Sequence, residues 1–75
     1  MDTANLIRMA NRIGDFFAAM PERDEALDGI ADHIKKFWEP RMRRELLAAV
    51  AGGEAGELHE IVRAALARHQ ALLEA

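Results

Sequence analysis

The sequence predicts an all-α protein, a small bundle of three to four helices whose last helix packs on the others or on a partner. Apolar residues recur at helical spacing along most of the chain, and no segment shows the alternation typical of strands. Two prolines and a Gly-rich stretch divide these helical segments. At 75 residues the chain makes one domain. We expect a three-helix core unit over 1–51, a Gly-rich linker over 52–56 and a C-terminal helix over 57–75.

The first helix is predicted from about residue 4 to residue 20. Asp2 or Thr3 can cap it, because a short side-chain oxygen satisfies amides that the first turn leaves unpaired, and Pro21 ends it. Gly14 lies inside this helix, where glycine costs about 1 kcal/mol relative to alanine. We interpret it as a point of close backbone approach, although a tolerated glycine with no such role remains the alternative.

The apolar face of the first helix is unusually wide. Ile7 and Phe16 extend it on opposite sides of the central stripe. One neighbouring helix cannot cover a face of this width, so we expect part of it to contact a partner. The central stripe consists of Leu6, Met9, Ala10, Ile13, Phe17 and Met20.

Two further helices are predicted on either side of Pro40. The second begins just after Pro21, with acidic residues near its start and Lys35 and Lys36 near its end, as the helix dipole favours. Pro40 stops this helix and suits the first turn of the third. The third is expected to reach Ala51, because two consecutive glycines follow.

The stretch of residues 34–44 concentrates the features that indicate a contact surface. It holds the chain's only Trp and five of its ten Lys and Arg residues, which with one Glu gives a local charge of +4. Helical spacing places Arg43 on the apolar side of the third helix and Arg41 and Arg44 on the other side. We expect Phe37, Trp38 and Pro40 to fix the helix corner, and the three arginines to make charged contacts.

Three interpretations of this basic stretch stay open from the residues alone. The arginines and lysines can complement helix dipoles and cover apolar surface within the chain. They can dock on a larger protein, since Trp and Arg are frequent hot spots of interfaces. They can also bind nucleic acid, although the net charge of −3 has the wrong sign for a general binder. A titration with DNA or RNA discriminates, because phosphate contacts give a steep salt dependence.

The sequence offers no catalytic or metal-binding set. It has no Cys, Ser or Tyr, so Ser and Cys nucleophilic triads are excluded. His59 and Glu60 begin like a helical zinc motif, but Arg63 occupies the position of the second His. Asp28 and Asp32 lie one turn apart and are interpreted as a solvated acidic face. We therefore predict a chain that is not an enzyme and has no catalytic, cofactor-binding or metal residue of its own.

The N-terminus lacks the basic start and apolar block of a secretory signal, and no apolar run approaches the length of a membrane span. The absence of cysteine fits a reducing compartment. We expect a cytoplasmic protein that makes no contact with membranes.

Two segments resemble a known family. LIRMANRIGDFF over residues 6–17 and GIADHIKKFWEPRMRR over residues 29–44 are similar to the small delta subunit of cytoplasmic, NAD-dependent, molybdenum-containing formate dehydrogenases. The resemblance covers about residues 4–50, while the Gly-rich stretch and the C-terminal helix match the family only in type.

The resemblance implies an accessory subunit that binds no cofactor itself. The other subunits of such a complex carry molybdopterin, iron–sulfur clusters and flavin, and the large catalytic subunit is the expected partner. The implied role is to stabilise that subunit or help assemble it. The alternatives are a small helical regulator that binds nucleic acid through residues 35–44 and a self-associating structural module. The residues expected to bind the partner are Ile7, Phe16, Phe37, Trp38, Pro40, Arg41, Arg43 and Arg44.

Overall fold

A computed structural model describes residues 2–75, and these residues form five α-helices and no strand. The all-α prediction is confirmed. The helices are α1 (Thr3–Ala18), α2 (Arg23–Phe37), α3 (Pro40–Ala51), α4 (Glu60–Arg68) and α5 (Gln70–Glu74).

The ends of α1 follow from local hydrogen bonds. The Asp2 side chain accepts a hydrogen bond from the Ala4 amide at 3.2 Å and is the N-cap. The helix ends at Ala18, two residues before the predicted end. There the Met20 amide bonds the Phe17 carbonyl at 3.0 Å, a tighter turn that leads into Pro21.

Both predicted ends of α3 are confirmed. Pro40 occupies its first turn, and Gly53 beyond its C-terminus has a φ of 75°, in the left-handed region that favours glycine. The Glu54 amide donates a hydrogen bond to the Ala49 carbonyl at 2.8 Å, and the Gly53 amide donates one to the Val50 carbonyl at 3.2 Å. These two bonds form a Schellman motif, which satisfies carbonyls that the helix leaves unpaired.

All five helices contribute to one hydrophobic core. α2 packs against both α1 and α4, while α5 packs against α3 and α2. The C-terminal helices therefore lie on the rest of the chain. The largest fully buried side chains are Leu6, Ile30, Ile34, Leu46, Val62 and Leu73.

The segment between α3 and α4 is anchored to the bundle. Ala55 and Leu58 within it are buried. The Asn11 side chain donates to the Glu57 carbonyl at 3.0 Å and accepts from the His59 amide at 2.8 Å. One amide side chain on α1 thereby fixes the chain just before α4.

The C-terminal region is two helices, where the sequence indicated one that begins near residue 57. α4 begins at Glu60, and His69 interrupts the helix with φ −115° and ψ 27°. The break turns α5 back toward α2 and α3, so that Leu73 reaches the core at 1% exposure. Helical periodicity places Leu73 on the apolar side of the C-terminal helix with Val62 and Leu66, and its burial agrees with that. The break at His69 is what the periodicity does not show.

Gly14 marks a close approach between α1 and α4, as its position in the sequence indicated. An added Cβ would clash with the Val62 side chain and lie 3.3 Å from Ile61 Cγ2. We expect Gly14→Ala to lower the free energy of unfolding by about 1–2 kcal/mol. Overpacking costs about 1–3 kcal/mol, and a clash as close as this one lies in the upper part of that range, about 2–3 kcal/mol, of which helix propensity returns about 1 kcal/mol.

Urea denaturation followed by Trp38 fluorescence measures this change. Gly56→Ala is the matched control, because an added Cβ at Gly56 has no atom within 4 Å. A Gly14→Ala protein as stable as the control variant would contradict the close approach.

Candidate partner-binding surface

Four aromatic side chains form a continuous row across α1 and α2. Phe16 meets Phe17 edge to face at a centroid distance of 5.1 Å, and Phe17 lies 6.4 Å from His33. His33 lies 4.7 Å from Phe37 at the end of α2. We call Phe16, Phe17, His33 and Phe37 the aromatic strip.

The two ends of the aromatic strip are open to solvent. Phe16 is 74% exposed and Phe37 is 71% exposed, whereas Phe17 and His33 are half-buried. Exposed aromatic rings that contact one another form a patch, and such patches mark interaction sites more often than scattered apolar residues do. Aromatic side chains are also enriched where proteins bind one another.

Gly29 on α2 provides the space for Phe17. A Cβ at position 29 would lie 2.6 Å from Phe17 Cδ1 and even closer to Cε1, so only glycine allows this ring to rest against α2. Held in this way, Phe17 forms the bridge between Phe16 on α1 and His33 on α2. The position of the ring therefore depends on a residue that carries no side chain.

Beside the strip lies a groove of about 330 Å³. Its lining is almost entirely apolar, and Arg12 and His33 are the two lining residues that carry polar groups. We call it the Arg12 groove; its lining residues are Arg12, Ile13, Phe16, Phe17 and His33.

Trp38 and Arg43 of the predicted partner-binding set lie inside the chain. Trp38 is 5% exposed and belongs to the core cluster. Arg43, 6% exposed, donates from Nη1 to the carbonyls of Trp38 at 2.9 Å and Lys35 at 3.1 Å. Its Nε and Nη2 donate to Leu73 and Ala75 at 3.4 and 3.3 Å. Arg43 thus joins the end of α2 to the C-terminal segment.

The other predicted residues divide between core and surface. Ile7 is buried at 7% exposure and packs in the core. Pro40, Arg41 and Arg44 are exposed at the start of α3. Within residues 2–75 no carboxylate oxygen lies within 4 Å of the Arg41 or Arg44 guanidinium. Partner binding by the exposed residues stays a prediction.

Phe17, His33 and Arg12 of the strip and groove are not in the predicted set. The spacing of His33 and Phe37, four residues apart on one helix, places them on one face and was a usable signal. The pairing of Phe17 with His33 joins two helices, and no local pattern in the sequence reveals it.

Exposed polar pairs join α2 to α4 and to the residue that follows it. Arg23 meets Glu60 at 2.7 Å, and Arg68 meets Asp24 at 3.0 Å. His69 Nε2 lies 2.6 Å from Asp28 Oδ1. Exposed pairs of this kind contribute about 0–1 kcal/mol each to the free energy of unfolding. Their main effect is therefore on the orientation of α4 relative to α2.

The described part of the chain holds no cluster of three or more His, Cys, Asp or Glu side chains that could bind a metal ion. No helix in residues 2–75 has the length and apolar character needed to cross a lipid bilayer.

Comparison with protein-family models relates the chain to a known family. The family model FdsD, described as the NADH-dependent formate dehydrogenase delta subunit, matches residues 5–66 of the chain. The match extends from α1 through most of α4 and confirms the resemblance found in the sequence. Searches of curated proteins and of solved structures gave no match.

Proposed function

The chain belongs to the family of delta subunits of NADH-dependent formate dehydrogenase, and from this membership we propose that it docks on the molybdenum-containing catalytic subunit as a non-catalytic accessory subunit. Docking stabilises the catalytic subunit or helps assemble it. In this proposal the chain acts in the cytoplasm and binds no cofactor. Molybdopterin, iron–sulfur clusters and flavin belong to the other subunits.

The observation that carries the proposal is the exposure of Phe16 and Phe37 at the two ends of the aromatic strip. Leaving two phenylalanine rings in water forgoes about 1.5–3 kcal/mol of burial for each ring. A partner surface that covers the strip recovers this free energy. The half-buried Phe17 and His33 hold the two rings in one patch, so a single partner surface can cover both.

The exposed arginines at the start of α3 supply a second, charged contact. Arg41 lies in the first turn of α3, near the positive end of its dipole, where cations are unfavourable, and Arg44 follows one turn later. An acidic patch on the catalytic subunit would offset that cost. Charged contacts of this kind chiefly raise the rate of association and the specificity of the pair.

The test is co-purification of the catalytic subunit with affinity-tagged variants of the chain. We expect Phe16→Ala and Phe37→Ala each to lower the affinity on the order of 10-fold or more, because each removes a ring that the complex buries. The double variant is expected to lose the complex. Circular dichroism should show an unchanged fold, since both rings are exposed in the free chain.

Leu72→Ala is the matched control, because Leu72 is an apolar residue of α5 that is 43% exposed and lies outside the strip. It should leave the complex intact. If the double Phe variant binds the catalytic subunit as tightly as Leu72→Ala does, the strip is not the docking surface. A catalytic subunit of equal yield, stability and activity without this chain would contradict the accessory role itself.

A further inference from the structure

The Arg12 groove combines apolar walls with one cationic lining residue, Arg12. The rings of Phe16, Phe17 and His33 and the side chain of Ile13 line it. At about 330 Å³ it lies near the lower end of the range of about 300–1,000 Å³ that small-molecule pockets occupy. Its size and apolar walls fit a large aliphatic side chain from another protein.

Among the residues that the structure describes, Arg12 is one of the exposed arginines without an acidic neighbour, as are Arg41 and Arg44, and it is the one that lines this groove. Lys36 meets Asp32 at 3.1 Å, and Arg23 and Arg68 meet carboxylates at 2.7 and 3.0 Å. Arg12 has no carboxylate oxygen within 4 Å among the residues that the structure describes. Its nearest acidic residue along the helix, Asp15, is directed to His59 at 3.0 Å.

Building on the proposed function, we propose that the Arg12 groove receives a segment of the catalytic subunit that carries a large aliphatic side chain next to a carboxylate. The aliphatic side chain lies against Phe16, Phe17 and Ile13. The carboxylate pairs with the Arg12 guanidinium at the edge of the groove. Arginine and a carboxylate form paired, directional hydrogen bonds, so this contact fixes the register of the segment.

A second copy of the chain is a less suitable occupant. The chain is acidic overall, with a net charge of −3, so two copies repel one another at long range. Asp24, Asp28 and Glu60 already pair with cations of the same chain. Other described carboxylates, such as those of Glu22 and Glu25, form no ion pair, so the net charge is what disfavours a second copy. Sedimentation of the free chain is therefore expected to show a monomer.

The test is a titration of the chain with the purified catalytic subunit at several NaCl concentrations. We expect Arg12→Ala to raise Kd about 10-fold and Arg12→Glu about 100-fold, because the second change opposes like charges. The affinity of Arg12→Ala should also fall less with added salt than that of the unmodified chain, since it has lost an ion pair.

Arg8→Ala is the matched control. Arg8 lies one turn earlier on α1, is exposed and does not line the Arg12 groove. The Kd of Arg8→Ala for the catalytic subunit should remain within about twofold of the Kd of the unmodified chain, as for an ordinary surface substitution.

A photo-crosslinking phenylalanine analogue at position 16 then identifies the partner segment. We expect it to contain Asp or Glu beside Leu, Ile, Val or Met. Replacing that acidic residue by Ala should weaken binding as Arg12→Ala does, and combining the two changes should add little further loss.

The outcomes separate this inference from the proposed function. If Phe16→Ala and Phe37→Ala weaken binding while Arg12→Ala and Arg12→Glu bind with unchanged Kd and salt dependence, the carboxylate contact is wrong and docking through the strip stands. A partner acidic residue whose effect is fully additive with Arg12→Ala also overturns the contact. A free chain that sediments as a dimer and dissociates on Arg12→Glu shows that the groove joins two copies instead.

Discussion

Replacing Arg43 by alanine is expected to lower the free energy of unfolding by about 2–6 kcal/mol, because it leaves the buried carbonyls of Trp38 and Leu73 without this donor at a cost of about 1–3 kcal/mol each. The guanidinium is 6% exposed and donates to four backbone carbonyls, of Lys35, Trp38, Leu73 and Ala75. A domain of this size has a total stability of roughly 4–11 kcal/mol. The variant is therefore expected to lose a large part of its stability and to unfold at a much lower urea concentration.

Urea denaturation measures the loss, with the buried Trp38 as the fluorescent reporter of folding. The free energy of unfolding of Arg43→Lys should lie between those of the unmodified protein and Arg43→Ala, because one ammonium group cannot reach all the carbonyls that a forked guanidinium spans. Arg44→Ala, one residue away and exposed, should change stability by less than about 0.5 kcal/mol. An Arg43→Ala protein as stable as Arg44→Ala would show that these hydrogen bonds contribute nothing net.

The burial of Arg43 and the exposure of Arg41 and Arg44 determine how the basic stretch of residues 34–44 should be tested. Changing Arg41, Arg43 and Arg44 together would confuse loss of the fold with loss of a contact, because Arg43 is internal and the other two are exposed. A variant with only Arg41 and Arg44 changed tests the surface. The periodicity of α3 already placed Arg43 on the apolar side of the helix and Arg41 and Arg44 on the other side. The burial of Arg43 agrees with that placement.

Helix ends were the most predictable part of the fold, because each depends on residues close in the chain. Asp2 caps α1, Pro40 opens α3 and Gly53 closes it, all as local chemistry requires. The close approach at Gly14 was predictable too, because glycine inside a helix costs about 1 kcal/mol relative to alanine and therefore suggests a packing requirement. The neighbour that requires it, Val62 on α4, was not.

Features that depend on contacts distant in the chain could not be predicted. The break at His69 places Leu73 in the core, and Asn11 fixes residues 57–59 through its side-chain amide. The candidate docking surface belongs to the same class only in part, because Phe16 and Phe37 were among the residues expected from the sequence to bind a partner. Its two exposed phenylalanines are visible in the sequence, but their connection through Phe17 and His33 depends on how α1 and α2 pack.

Trp38 and Phe37 are adjacent aromatic residues for which we expect opposite effects. Trp38→Ala should lower the free energy of unfolding by about 3–5 kcal/mol, as removal of a large buried side chain does. Phe37→Ala, at a residue that is 71% exposed, should change it by less than about 0.5 kcal/mol. Far-UV circular dichroism during thermal unfolding measures both, since the Trp38 variant has no fluorescent reporter.

The docking assay completes the comparison of these two residues. Phe37→Ala should bind the catalytic subunit weakly while fully folded. Trp38→Ala should lose binding only as its folded fraction falls, so a stabilising osmolyte that restores folding should also restore binding. If the osmolyte restores the helical signal of Trp38→Ala and binding stays lost, Trp38 contacts the partner directly. Its burial in the free chain would then describe a conformation that docking changes.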